Sequence, residues 1–379
     1  MNQSSSLLVI GTDLAKITLC LLESIAGSYR LAYWQEVMRE PGRKTVDQVK
    51  SLCQQAERQL SRRLWNDDTN TPYTESDDPL RFPPVGQIFI TSSPRPRLRV
   101  WLSGLSERYS LNSATLAVQS SPAEIGEIVP MRRNMTSTSL HQMLSPRPPD
   151  TIVLSGGFDV PSQQAITPIR QMGILYCNAL MRMAPIQRPH VLFTGNRWAA
   201  DAVQSLFVES GLASSIRVIS NVQPYSQWAT PISLIHGLTV EYWQRCRRTS
   251  EYRELSGWLP DASGLASLEL NFARLTQGWM RYCGLDELHG LYEGPDWWMH
   301  VWSRMDRDTL EIAFSVPNEP SPLIANWPTP QLVSGLWPQE HWIQPARSWC
   351  DKLGIAPCIA AVGHALPLAM IQVLETDIF

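Results

Sequence analysis

Residues 150 to 160 read Asp150-Thr-Ile-Val-Leu-Ser-Gly-Gly-Phe-Asp-Val160. Thr151 to Leu154 form a short β-branched and apolar run that can be buried on both faces, as central strands of parallel sheets are. Gly156 and Gly157 stop it, because glycine accepts positive φ and lets backbone approach closely, and Asp159 follows where a helix-capping or polar site residue would sit. Downstream come a helical stretch, a strand from His190 to Thr194 ending in Gly195-Asn196, a helix from Arg197 to Ser210, and a strand from Ile216 to Ile219. Strand, turn and helix repeated in this way predict a doubly wound segment with its loops at the carboxyl edge of the sheet.

Three motifs in this order carry a resemblance: Ser155-Gly-Gly-Phe-Asp159, then Phe193-Thr-Gly-Asn-Arg197 opening a helix, then Ser220-Asn-Val-Gln-Pro224. Together they resemble the accessory proteins that accompany methylaspartate (glutamate) mutase, relatives of actin, the sugar kinases and the heat-shock chaperone ATPases. The likeness is sharp from Asp150 to Pro224 and faint elsewhere. It implies an α/β chain of two-lobed actin-like (ribonuclease H-like) fold. The lobes are expected at 1–253, including the doubly wound segment, and at 254–379, rich in Trp and Pro.

A chain of 379 residues with 44% hydrophobic content can build two such lobes. The net charge of −3 offers no electrostatic footprint for nucleic acid, and the basic runs Arg95 to Arg99 and Arg245 to Arg248 read as solvated faces. Seven scattered cysteines without a Cys-x-x-Cys pair point to reduced thiols, with Cys20 and Cys177 in apolar runs that suit a core. The polar start, Met1 to Ser6, lacks the basic region of a signal peptide, and no apolar run is long enough to span a bilayer, so a cytoplasmic location is expected. Nine of fifteen tryptophans fall between Trp258 and Trp349. Indoles at that density fill a core or anchor an interface.

Leu7 to Ile10, Ile17 to Leu22 and Tyr29 to Gln35 read as an antiparallel meander. Thr45 and Gln48 suit a capping box for a helix whose apolar face is Val46, Val49, Leu52, Cys53, Ala56, Leu60 and Leu64. Asn66 to Pro84, full of acids, prolines and Thr, reads as an exposed loop. Strands follow at Val85 to Thr91 and Leu98 to Leu102, with a short helix inside Arg132 to Pro149. Thr167-Pro168 and Thr230-Pro231 suit helix starts. A helix is expected from Ala266 to Tyr282, then a strand-turn-strand at Gly290 to Tyr292 and Trp297 to Trp302. Proline limits Asp308 to Pro345 to short elements, and Cys358 to Leu374 reads as a helical closing stretch.

In the superfamily that the resemblance implies, ATP lies between the lobes, held by two hairpin turns and a glycine-rich adenosine loop. An acid at each hairpin orients magnesium and water, and glycines let backbone N–H groups reach phosphate. The first hairpin here is Gly11-Thr-Asp-Leu-Ala-Lys16. Asp13 is kept, but Ala15 and Lys16 replace a glycine and a hydroxyl residue. Lys16 suits a phosphate as a point charge, but Asp13 and Lys16 read first as polar residues of a tight turn. The second hairpin, Leu291-Tyr-Glu-Gly-Pro-Asp-Trp-Trp298, keeps Gly294 but sets Leu291, Asp296, Trp297 and Trp298 where acids and hydroxyls belong. Ala361-Val-Gly-His-Ala365 keeps one adenosine-loop glycine, Gly363. Ser92-Ser-Pro-Arg-Pro-Arg97 replaces a small-residue turn with stiff prolines. Gly156, Gly157 and Asp159 are intact, and serve chain geometry as readily as a ligand.

Other chemistries find less support. His141, His190, His236, His289, His300, His341 and His364 show no metal-ligand spacing, and Val153 occupies the glycine position that a Ser155 nucleophile elbow would need. The losses fall on nucleotide-contacting positions while the framing strands stay readable. The expectation is therefore a protein-binding or scaffold subunit of pseudo-ATPase type, with no cofactor, no catalytic residue and no metal, and with a protein partner such as an intact homologue or a second copy. Two alternatives stand beside it. One is an ATP-dependent reactivating chaperone for a cobalamin-dependent mutase, with Mg-ATP and Asp13 as the catalytic acid. The other is a polymerising actin-like scaffold.

Overall fold

The computed structural model describes residues 6–25, 28–74, 85–259, 265–282, 284, 286–293, 297–304, 309–315 and 361–362. The chain opens with an antiparallel meander, β1 (Ser6–Thr12), β2 (Lys16–Ile25) and β3 (Ser28–Met38). Leu8 and Ile10 face one side of β1, and Leu7 and Val9 face the other, as the period of two requires; all four are buried. Helix α1 (Thr45–Leu60) lays Val46, Val49, Leu52, Cys53 and Ala56 on the first of these faces. Thr45 does not cap it. The cap is Lys44 without a side-chain bond, and the Thr45 hydroxyl instead accepts from Arg39 Nη2 at 2.7 Å.

Next comes a two-stranded ribbon, β4 (Trp65–Asn66) against β5 (Thr71–Pro72). It corrects the expectation of a wholly exposed loop after residue 65, because Asn66 and Tyr73 are buried beside Trp65; residues 75–84 lie outside the described residues. Strand β6 (Gln87–Ser92) then pairs parallel to β1.

Between β6 and its eventual neighbour β12 the chain builds a second, wholly parallel sheet. In chain order this holds β7 (Leu98–Gly104), α2 (Asn112–Gln119), β8 (Ala123–Pro130), α3 (Ser137–Leu144), β9 (Thr151–Gly156), α4 (Gln163–Met181), β10 (His190–Gly195), α5 (Arg197–Glu209), β11 (Ile216–Val218) and α6 (Ile232–Cys246). The spatial order is β8-β7-β9-β10-β11. Helices α3, α4 and α5 cover one face over Ile152, Leu154, Val191 and Phe193, and α2 and α6 cover the other over Val100, Val153 and Leu192. Two-sided burial explains why Thr151 to Leu154 reads as a continuous run. Asn196 caps α5 by accepting from Trp198 N at 2.8 Å, whereas Pro168 lies within α4, whose cap is Ser162.

Helix α7 (Ser250–Ser256) leads to β12 (Leu265–Ala266), which pairs parallel to β6 and completes the first sheet as β3-β2-β1-β6-β12. That sheet therefore draws on residues from both sides of position 253, and the residues from 1 to 253 carry two sheets. Helix α8 (Leu268–Tyr282) precedes a third sheet, β13 (Glu287–Glu293), β14 (Trp298–Arg304), β15 (Thr309–Ser315) and β16 (Ala361–Val362), ordered β15-β14-β13-β16. Here β13, β14 and β15 are antiparallel and β16 runs parallel to β13. The first and third sheets thus share one plan, a meander whose first strand takes a parallel neighbour. This is a mixed α/β architecture, as the motifs imply. Ala361 and Val362 are strand where a helical stretch was expected.

Candidate functional site

The site forms where the carboxyl ends of β1 and β6 meet α8 and β13. Thr12 and Ser92 are register partners, and the Thr12 hydroxyl donates to Ser92 Oγ at 2.9 Å. After β1 the chain turns on Asp13. Its Oδ1 accepts from the backbone N–H groups of Ala15 and Lys16, each at 2.7 Å, the bond pattern that makes Asp a turn former. Ala15 keeps negative φ, so this turn needs no glycine. Arg39 braces it from outside, donating to the Asp13 carbonyl at 2.6 Å while ion-paired with Glu251 on α7.

From the third sheet, the Tyr292 phenol donates to Asp13 Oδ2 at 3.2 Å. Both oxygens of a carboxylate that is 8% exposed are thereby engaged by the chain itself. Burial, then the charge of Asp13, holds the Tyr292 phenol well above its ordinary pKa, so it stays a donor. Behind it the rings of Phe272, Tyr292, Trp297 and Phe314 contact one another at centroid distances of 5.2 to 5.6 Å. Trp297, Trp298 and Trp302 are all buried; Trp297 packs in the core of this sheet with Met299 and Val301, and Trp298 and Trp302 lie on the opposite face of β14.

Glu269, in the first turn of α8, is the site residue that the sequence reading missed. It is fully buried and accepts from Ser93 Oγ at 2.5 Å, and Ser93 Oγ in turn accepts from the Leu268 N–H at 3.2 Å. Burial pushes its carboxyl up to about 7, opposed in part by the Ser93 bond and by Trp243. Nothing in one dimension marks Glu269, since an acid in a helix's first turn is common for dipole reasons. The Ser92-Ser93 turn offered a signal, as paired hydroxyls at a strand's carboxyl end need partners once buried.

The other predicted residues fall elsewhere. Lys16 pairs with Glu36 on β3 at 2.8 Å. Gly156 and Gly157 have φ of 151° and 73°, and an added Cβ would come within 2.9 Å of Leu105 and 2.6 Å of Ile169 respectively. Asp159 Oδ1 accepts from Arg197 N at 2.9 Å and Asn221 Nδ2 at 2.8 Å, tying together the loops after β9, β10 and β11. No hydrogen bond joins this group to Asp13 among the described residues. Gly294 and Gly363 lie outside the described residues, as does Asp296. The basic runs are partly paired rather than simply solvated: Arg95 and Arg245 both grip Asp150, and Arg97 reaches Glu124. Among the described residues, no three potential ligands gather as a metal site and no helix is long and apolar enough to cross a membrane. Cys20, Cys53, Cys177 and Cys246 are buried free thiols.

Residues 39–229, half of the chain, match the family model described as MutL protein. The chain belongs to the MutL family. This is the mutase accessory family that the motif order implied, and the match spans the whole parallel sheet together with α1 and β6. No curated protein sequence matches this MutL chain. Among solved structures, nucleotide-free acetone carboxylase is similar at 9% identity and a TM-score of 0.32, over 83% of this chain and 47% of its own. The ATP-dependent caprolactamase of Pseudomonas jessenii is similar at 11% and 0.36, over 97% and 62%. A Ppx/GppA family member from Aquifex aeolicus is similar at 7% and 0.23, over 92% and 61%. The chain spans less than two thirds of the length of each.

Proposed function

We propose that this MutL-family chain is a non-catalytic subunit that works by binding another protein, either an intact homologue or a second copy of itself. One observation carries the reading: the Tyr292 phenol is seated on the Asp13 carboxylate. An acid that is to orient magnesium and water needs free lone pairs and solvent at its oxygens. Asp13 has its oxygens committed to two backbone N–H groups and a phenol, and the aromatic cluster of Tyr292 and Trp297 stands where the second phosphate turn of an ATPase would be. Lys16 is turned to Glu36. Among the described residues the most exposed aromatics lie at the loops of the parallel sheet, with Trp198, Tyr225 and Trp228 each about half exposed or more and Ile232 close to Trp228 in sequence; Trp34 on β3 is exposed as well. Aromatic side chains left in water are characteristic anchors of protein interfaces.

Calorimetry with Mg-ATP on the purified chain tests the first half, and no heat of binding is expected at micromolar to millimolar nucleotide. Saturable binding with turnover that Asp13→Ala abolishes would overturn it. For the second half, sedimentation of wild type against Trp198→Ser/Trp228→Ser reads self-association, and mixing with a homologue that keeps the phosphate-loop acids and glycines reads hetero-association. A second reading, the reactivating ATPase, draws on the meeting of Asp13, Ser92, Ser93 and Glu269 at one sheet edge. It requires the third sheet to withdraw Tyr292, and the same calorimetry decides it.

A further inference from the structure

A separate crevice lies at the carboxyl edge of the parallel sheet. Counted along the chain, its strands stand in the order 2-1-3-4-5, so direction reverses between β7 and β9. The helix after β7 packs on one face and the helix after β9 on the other. Chains leaving neighbouring strands in opposite directions open a gap beyond the strand ends, where open α/β sheets take their ligands. Beside this gap is a cavity of about 540 Å³, walled by Leu105 just past β7, Met131 just past β8, and Leu175 of α4. That size is in the range of small-molecule sites, roughly 300–1,000 Å³.

We propose that this cavity binds a small anionic ligand with an apolar body, of the class of medium-chain carboxylates. The apolar part follows from the walls, where Met131 and Met135 add unbranched, flexible side chains that mould to a hydrocarbon and Ile174 adds further apolar surface. The charge follows from Arg132 and Arg133, which also line it and are exposed. Among the described residues neither guanidinium has an ion pair or a side-chain hydrogen bond, whereas Arg39, Arg62, Arg95, Arg97, Arg245 and Arg304 each have a carboxylate. Adjacent free guanidiniums at the rim of an apolar cavity suit a carboxylate head, which a planar fork can grip at both oxygens.

The loop bearing them is already fixed. Met131 N donates to Gly104 O at 2.9 Å, Met135 N to Arg132 O at 3.1 Å, and Thr136 and Ser139 close a reciprocal capping box at the start of α3. A site held this way does not spend binding free energy on ordering its own loop. A phosphosugar fits less well, since among the described residues Gln171 is the only other polar side chain on the wall and a sugar's hydroxyls would go unmatched.

Calorimetry on the full chain with octanoate, below its micelle concentration, tests the proposal, with 1-octanol as the neutral analogue. Saturable binding of one octanoate per chain is expected, weakened about tenfold or more by Arg132→Ala/Arg133→Ala and weakened further as salt rises. Both arginines are exposed, so the double variant is expected to melt as wild type does. Ile174→Trp, which fills the cavity, is expected to abolish binding, and Arg132→Lys/Arg133→Lys to keep part of it. Absence of saturable octanoate binding would overturn the proposal. So would equal affinity for octanol and octanoate, which would reveal an apolar crevice without anion selectivity, or unchanged affinity in the Arg132→Ala/Arg133→Ala protein.

Discussion

The hairpin of β1 and β2 turns around a carboxylate, whereas the hairpin of β13 and β14 is backed by an aromatic cluster, although both occupy the same place in sheets of the same plan. The first keeps a polar turn whose N–H groups converge on Asp13. In the second, Tyr292 and Trp297 flank the turn and are 4% exposed each. One scaffold has accommodated a polar solution and an apolar one because the backbone ladder that defines it is indifferent to the side chains at its ends. The two hairpins then meet, and their sole hydrogen bond among the described residues, Tyr292 to Asp13, joins the polar turn to the aromatic one.

Removing the aromatic side is expected to have the largest effect. Trp297→Ala leaves a cavity among Tyr292, Phe314 and their neighbours and should destabilise the third sheet by about 3–5 kcal/mol, read by denaturant titration. A loss under about 1 kcal/mol would show that the cluster does not support the hairpin. Glu269 tests the polar side through pH. Its carboxyl is raised from the ordinary 4.5 to about 7, so the stability it contributes is complete below about 4.5 and is lost as pH rises through 7. The loss amounts to roughly 3 kcal/mol. Glu269→Gln, neutral throughout, should flatten that part of the pH–stability curve; a wild-type curve that does not fall between pH 5 and 8 would contradict the assignment.

A smaller effect is expected at the contact itself. Tyr292→Phe leaves one buried lone pair of Asp13 unmatched and should cost about 1–2 kcal/mol, and in a double-mutant cycle with Asp13→Ala the two changes should be clearly non-additive. Additive losses would mean the hairpins do not communicate through this bond. The smallest belongs to Lys16→Ala, which removes an ion pair at the protein surface and should change stability by less than about 1 kcal/mol. Were Lys16 a phosphate ligand, the same variant would instead lose nucleotide affinity.

Local chemistry made much of the fold legible. Thr151 to Leu154, Gly156-Gly157 and the Asn196 cap identified the parallel unit because burial on both faces, positive φ and an exposed N-terminal N–H each impose a residue type on the chain. The meander at the start was legible for the same reason, through its period of two. Other features were not, three of them instructive. Pro168 passed for a helix start, since a proline near an N-terminus looks the same one turn in or at the first position. Asn66 and Tyr73 passed for loop, because composition cannot show that a short ribbon folds back on Trp65. Leu265-Ala266 gave no sign of joining β6, a strand more than 170 positions earlier.

What the sequence determined by itself, then, is what near neighbours in the chain enforce: strands, the Asn196 cap, glycine turns, and the bulky residues Leu291, Trp297 and Trp298 of the late hairpin. Tertiary structure alone decided that Glu269 lies under Ser93, that Tyr292 closes on Asp13, and that Arg132 and Arg133 border a cavity beside a strand reversal. Each of these depends on pairings across sheets and helices far apart in the chain. Long-range placement follows from how whole faces are buried against one another, and a carboxylate or guanidinium carries no mark of the partner that burial will bring to it or leave it without.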